Sequence, residues 1–476
     1  MRARHLRPGK SAMPRAQPLI LAALASALAL TAQGPAAAQT SAFSSFTPIA
    51  ASVPAGSLPE SAPFVLSNPA WAQRSIADRT TQQNAGQFNS GTWDMIDTNR
   101  TGADRGRYLF TGFETNQPGI QRTDRVTGTT VTLWNAPTPG AARGFDAARW
   151  TPFGTYLTAE ESWGPQPQSY GRLFELTNPV TAAAGAGNLI HRNAVARVSH
   201  EGLAFDKNNN LFYIDEANGG SIYRFASATP STGATLLDAG TNAVLRVGTG
   251  ATANATGAAA WINFTNATGT GLPGAVTITD PNGITSVDGR ATTDLAAFKG
   301  TDYQRPEDLE IQTLANGDEV LYVATTTTHE VYSINLATNQ VQRFVDRSTI
   351  DEATGLPVGT ALTNPDNMAI DADGNIYIVE DQPGGAADIW FARDANRDGV
   401  AESVARWMTM STIGAEPSGL YFDVTNPNIA FINVQHPTSG VDRMIEISAV
   451  PAFVPEPGAV SLLGLAAGIL ALSRRR

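Results

Sequence analysis

The chain runs to 476 residues and contains no cysteine, which excludes disulfides and thiolate metal ligands. Its 43 Asp and Glu against 32 Lys and Arg give a formal net charge of −11, so the surface repels nucleic acid and attracts cations. Only 16% of residues are charged while Gly, Thr, Ala and Asn abound, a composition that suits a turn-rich β protein with one large domain.

The first 38 residues pass from a basic stretch (Arg2, Arg4, Arg7, Lys10, Arg15) through an apolar run at 19–30 to Ala36-Ala37-Ala38. That order reads as a secretory signal peptide over 1–38, because the apolar run is short for a membrane span. No Arg pair precedes it, so export in the unfolded state is expected. Residues 39–92 are rich in Ser, Pro and Asn with little alternation. They read as an irregular N-terminal arm or linker.

From residue 93 onward one unit recurs. An apolar stretch leads to a turn of Asp, Asn and Gly, then to a strand with an aromatic residue, an acidic cluster, a Gly-containing turn and a second strand. Residues 203–225 and 368–391 are the clearest copies. Tyr108, Tyr156, Tyr213, Tyr322, Tyr377 and Phe431 occupy the same slot, 48, 57, 109, 55 and 54 residues apart. Units of about 40 to 55 residues, each a small antiparallel sheet, predict an all-β fold, a β-propeller over 93–452. The long gap covers the Gly-, Ala- and Thr-rich residues 226–300, which form either an insertion or an extra blade. Six blades are expected, seven if the segment is a blade of its own, in a monomer.

The acidic residues repeat with the blades. Just before an innermost strand stand Glu201, Glu307 and Asp366 in matching slots, with Glu416 close by; where the next strand ends stand Glu160-Glu161, Asp215-Glu216 and Glu380-Asp381. Two carboxylates about 4 Å apart repel by roughly 4 kcal/mol at an effective dielectric near 20. The ring therefore either spreads into solvent or shares cations, and calcium, with its many oxygen ligands and loose geometry, suits it. Asp394, Asn396, Asp398 and Gly399 also follow a calcium-loop spacing, but Ala405 stands where the loop would end in Glu. A weak calcium site and an Asx-rich turn both stay open there. No Gly-x-Ser-x-Gly elbow occurs, and no phosphate-cradling Gly loop precedes a helix.

The C-terminal end carries Val454-Pro455-Glu456-Pro457, a hydrophobic stretch at 458–472 and Arg474-Arg475-Arg476. It resembles the PEP-type C-terminal sorting signal, over 453–476. That resemblance implies a C-terminal hydrophobic transmembrane helix with a cytoplasmic basic tail and sorting-signal processing machinery at the inner membrane. The body would then be exported, and end periplasmic, at the cell surface or extracellular.

A second resemblance rests on strings in order: residues 150–161, His200-Glu201-Gly202, Arg305-Pro306-Glu307-Asp308, Asn364-Pro365-Asp366-Asn367 with Glu380-Asp381, Glu416-Pro417-Ser418-Gly419, and residues 433–437. Their sequence and spacing resemble the PhoX-type alkaline phosphatases over roughly residues 93 to 448. The resemblance implies a six-bladed propeller with calcium and iron at the channel mouth, acting on phosphate esters. It implies Glu201 and Glu307 as ligands of the iron-containing cluster, and Arg305 as the residue that binds substrate phosphate. Glu160, Asp366, Asn367, Glu380, Asp381 and Glu416 would be calcium ligands, with His200 and His436 supporting them. Where the family has a cysteine whose thiolate bridges two irons, this chain has Ala159. A methyl group cannot ligate, so calcium is expected and the iron pair is put in question. The function expected is a calcium-dependent phosphate-ester hydrolase. A non-catalytic calcium-binding propeller of the extracellular polysaccharide layer and a lactonase-like hydrolase with one axial calcium are the alternatives.

Overall fold

A computed structural model describes residues 40–449 except 165–168, 281 and 383–386. The expected signal peptide and the expected sorting signal with its hydrophobic helix lie outside the described residues. Among the described residues no helix is long and apolar enough to cross a membrane, and α-helix is confined to Arg79–Asn84 and Gly289–Thr293.

The expected repeat is an antiparallel ladder of four strands: among the described residues three ladders stand as four-stranded sheets, two are joined through Gly257–Asn263 and Gln340–Val345 in a nine-stranded sheet, and one lies within a seven-stranded sheet. Their innermost strands are Trp93–Thr98, Arg149–Trp150, Leu203–Phe205, Pro306–Thr313, Pro365–Ile370 and Glu416–Phe422. Each leads outward through an Asx turn or a similar hairpin. Asp371, for example, accepts the amides of Asp373 and Asn375 at 2.9 Å, and Gly374 takes φ +78°. Asp206 does the same for Asn208 at 2.9 Å and Asn210 at 2.8 Å. These carboxylates are turn formers at the end of the strand remote from the acidic slots.

Apolar clusters lie between each neighbouring pair of ladders. Phe110 with Tyr156 and Phe174 joins the first and second ladders, and Leu157 with Leu203 and Tyr213 joins the second and third. Phe212 with Leu321 and Tyr332 joins the third and fourth, and Tyr322 with Ile378 and Trp390 joins the fourth and fifth. Tyr377 with Trp407 and Phe422 joins the fifth and sixth. Trp93 with Tyr421 and Phe431 closes the sixth onto the first. Radial repetition of this kind buries both faces of every small sheet and defines a propeller.

The ring is closed by chain ends. Trp71–Asp78 pairs antiparallel with Arg443–Ala449, so a segment read as arm supplies the outer strand of the sixth ladder. The remainder does wrap: Phe64–Leu66 pairs with Met408–Met410, and Phe43 is buried edge-on against Trp71, Trp407 and Phe422. Residues 226–300 form no seventh ladder. Gly240–Val247 is the fourth strand of the third ladder, Gly257–Asn263 adds a fifth, and a hairpin of Thr277–Thr279 with Thr285–Val287 follows.

Candidate metal centre and active site

Two rings of side chains face the channel mouth, and the backbone sets both. In five ladders the residue ending the second strand donates its amide to the residue just ahead of the innermost strand. Glu114 donates to Thr92, Glu161 to Gly144, Glu216 to Ser199, Thr326 to Arg305 and Asp381 to Asn364, all at 2.9 to 3.0 Å. Two residues beyond those acceptors stand Asp94, Asp146, Glu201, Glu307 and Asp366. Register shifts at Trp93/Ile96, Pro306/Leu309 and Pro365/Met368 re-aim this inner set, as bulges beside functional sites do. Neighbouring innermost strands approach closely: a Cβ on Gly202 would lie 2.4 Å from the Leu309 amide nitrogen. Gly202 is thus required for the carboxylates on either side to meet.

Carboxylate oxygens of Asp146, Glu201 and Glu216 lie within 4.8 Å of one another, as do those of Glu201, Glu307 and Asp366. Glu201 belongs to both groups. Burial, followed by the negative charges of Asp366 and Glu307, pushes the Glu201 carboxyl well above its ordinary range. Asp146, Glu216 and Asp366 are raised in the same way, burial first and neighbouring carboxylates next. Glu201 Oε2, Glu307 Oε2 and Asp146 Oδ1 are buried without a hydrogen-bond partner. Buried carboxylate oxygens without donors are costly unless a cation takes them. The residues present fit a hard divalent cation such as calcium.

Of the residues singled out in the sequence, Glu201, Glu307 and Asp366 lie together. Asn367 joins them by donating Nδ2 to Glu201 Oε1 at 3.0 Å, while its Oδ1 accepts from Ser418 Oγ at 2.8 Å and the Gly419 amide at 2.6 Å. Asp381 has a buried orphan oxygen, Oδ1, and is pushed up to about 8 by burial and then by Glu416. Burial pushes Glu416 up, but hydrogen bonds with His436 and Asp381 outweigh it and leave the carboxyl below its ordinary value. His436 Nε2 lies 3.5 Å from Glu416 Oε2, and chiefly that contact lifts the imidazole to about 9. His200 is wholly buried against Tyr213, ring centroids 5.3 Å apart, and burial pushes it down to about 3. It is a neutral packing residue.

Glu160 and Glu380 are placed differently from the expectation. Glu160 spends both oxygens on Arg172, at 2.6 and 2.9 Å, and on the Arg143 amide at 2.9 Å. Glu380 accepts from the Thr363 amide at 2.8 Å, Trp390 Nε1 at 2.9 Å and the Asp388 amide at 3.0 Å. Asp215 fills the corresponding position in the third ladder by pairing with Arg290 Nε at 2.6 Å. Successive side chains on a strand face opposite ways. The first acid of each pair therefore points into the ladder and the second, Glu161, Glu216 or Asp381, points to the mouth. Glu114 takes the place of these second acids in the first ladder, and Asp94 and Asp146 take the slots of Glu201, Glu307 and Asp366 in the first two ladders; the sequence reading missed all three.

Arg305 sits among these acids, its Nη2 donating to Glu216 Oε1 at 3.0 Å and its Nε facing Glu307 Oε1 at 2.8 Å. Its backbone takes φ +56°, an unusual conformation for a residue with a side chain, and its guanidinium lies 4.9 Å over the Trp163 ring. Ala159 stands beside the cluster: its carbonyl accepts the Asp146 amide at 3.2 Å. Its methyl group is buried among Ala147, Leu157, Leu173 and Val195. The donor set is all oxygen, and a thiolate-bridged iron pair does not fit it.

The sequence matches the family described as Alkaline phosphatase PhoX over residues 147–438. The chain belongs to this family. Its structure is similar to that of Pseudomonas fluorescens PhoX in complex with vanadate, a transition state analogue, with 14% identity, 84% of this chain and 98% of that chain covered, and a TM-score of 0.57. That likeness shows the PhoX propeller fold. A gluconolactonase from Xanthomonas campestris is also similar, with 13% identity, 84% and 98% coverage and a TM-score of 0.43. Among curated proteins no sequence relative is found.

Proposed function

We propose that this PhoX-family protein is an exported, calcium-dependent phosphatase that hydrolyses phosphate esters at the channel mouth. The observation that carries the reading is the placement of Arg305 between Glu216 and Glu307, one carboxylate from each of the two groups that share Glu201. Bound calcium would neutralise phosphate oxygens and lower the pKa of a coordinated water. Asp146, Glu201, Glu216, Glu307 and Asp366 would hold it, with Asp381 and Glu416 on the neighbouring ladders' rim.

Arg305 has only one fork partner fixed at hydrogen-bond geometry and is partly exposed. Its planar fork can turn from a carboxylate to the matching pair of phosphate oxygens. Asn367 holds Glu201 in place through Nδ2 while its Oδ1 is itself fixed by Ser418 and the Gly419 amide. Glu416 keeps His436 cationic near neutral pH, adding a second positive charge at a mouth that must receive a dianion.

Metal analysis of the purified protein, with phosphomonoester hydrolysis assayed in calcium and in chelator, tests the proposal. Turnover lost in chelator, restored by calcium and abolished in Arg305→Ala is expected. Full calcium occupancy without hydrolysis of any ester between pH 7 and about 10 would leave a calcium-stabilised binding propeller instead. Stoichiometric iron would show that oxygen ligands suffice without the family's thiolate.

A further inference from the structure

Arg305 is held from three directions, and the three contacts differ in kind. Glu216 Oε1 accepts from Nη2 at 3.0 Å, and Glu307 Oε1 faces Nε at 2.8 Å, yet Nε is buried without a hydrogen bond. The third contact is the Trp163 ring, whose centroid lies 4.9 Å from the guanidinium carbon above it. That distance is within the range over which the face of an indole attracts a cation.

The two carboxylates belong to the groups that share Glu201. An oxygen that takes a cation has less charge to offer a guanidinium, so metal loaded there loosens both ion pairs. The indole ligates no cation, and its hold on Arg305 does not depend on what fills the carboxylates.

The ring is itself fixed, although 43% of the residue is exposed. Its Nε1 donates to Glu161, whose amide donates to the Gly144 carbonyl at 3.0 Å. The next amide, that of Ser162, donates to Ser199 Oγ at 2.8 Å, and the Ser199 carbonyl accepts the Glu216 amide at 2.9 Å. One chain of hydrogen bonds thus sets the indole and Glu216 relative to each other, and Arg305 reaches from the entry of the fourth ladder to meet both.

We propose that Trp163 is a positioning residue for Arg305: its ring keeps the guanidinium aimed at the phosphoryl group while metal occupies Glu216 and Glu307. The inference rests on the phosphatase reading for that phosphoryl group. Trp163 acts through Arg305 alone and touches neither phosphate nor metal in this role.

A double-mutant cycle on phosphate binding tests it. Inorganic phosphate is titrated calorimetrically into protein loaded with stoichiometric calcium, for the wild type, Trp163→Ala, Trp163→Phe, Arg305→Ala and the Trp163→Ala, Arg305→Ala double variant. Trp163→Ala should weaken phosphate binding about tenfold, and Trp163→Phe should keep most of the affinity. The double variant should bind no more weakly than Arg305→Ala, and calcium stoichiometry should hold throughout. Wild-type affinity in Trp163→Ala, an equal loss with and without Arg305, or calcium lost together with phosphate overturns the positioning role while the phosphatase reading stands. Unaltered phosphate affinity in Arg305→Ala, or no phosphate binding by the wild type, removes Arg305 as the phosphate partner and the positioning role with it.

Discussion

Arg305 and the carboxylates around it make opposite demands on a mutation. Removing the fork in Arg305→Ala should lower kcat/KM for phosphomonoesters by about 10² or more. Arg305→Lys should recover only part, since an ammonium supplies charge without the paired geometry; steady-state kinetics on both variants checks this. Glu160 and Glu201 offer a sharper contrast. Glu160→Gln leaves Arg172, with 6% of its side chain exposed, only the longer 3.9 Å ion pair with Asp280, which should destabilise the fold by about 3 kcal/mol in urea unfolding while calcium stoichiometry holds. Glu201→Gln should instead weaken calcium binding on the order of a hundredfold by calorimetry, because both groups lose an anionic ligand at once. In the sequence, the adjacent acids were visible but not which of the two faced the mouth. That choice depends on the phase of a period-two strand, and a shift of one residue exchanges ligand for scaffold. Glu201 and Asp366 escaped the ambiguity because neither has an acidic neighbour, and Glu307, which is followed by Asp308, was placed by its match to their slots.

At the level of strands, the ladders were legible because each repeats an Asx turn, an aromatic and an acidic end at a nearly constant spacing. The strand Trp71–Asp78 was not, since its exposed and half-buried residues alternate weakly and its partner lies more than 360 residues away. The insertion was equally opaque: Gly240–Val247 extends a ladder already begun, a fact set by pairing partners and not by local composition. The arm should matter for stability in proportion to the aromatic surface it covers. Phe43, fully buried against three aromatic rings, predicts a loss of about 3–5 kcal/mol in Phe43→Ala, read as a lower unfolding midpoint with hydrolysis per folded molecule retained.

For the molecule as a whole, the crowded carboxylates link stability to pH and, on the proposed function, to calcium. Asp308, Glu380 and Asp381 are each pushed up to about 8, burial being the first cause in every case. A group raised in this way holds its proton more tightly folded than unfolded. Its stabilising contribution is complete below about pH 4 and is lost as pH rises through 8. The metal-free protein should therefore show a melting temperature that falls between pH 5 and 9. Calcium would compete with protons at the raised carboxyls of Asp146, Glu201, Glu216, Glu307 and Asp366 and should raise Tm more at pH 9 than at pH 5; scanning calorimetry with and without chelator checks both signs.

The pairing of Trp71–Asp78 with Arg443–Ala449 also imposes an order of events. The sixth ladder lacks its outer strand until these two segments meet, so the closure that secures the ring joins residues as far apart in sequence as Trp71 and Ala449. Loop closure over such a span is slow relative to the formation of single ladders. A chain threaded from its N-terminus remains an open arc until its last strand arrives. The two carboxylate groups come from the second to fifth ladders, whereas Asp94 of the first ladder and Glu416 of the sixth are joined through Gln435 Nε2, so that side of the anionic mouth is completed only when the arc closes.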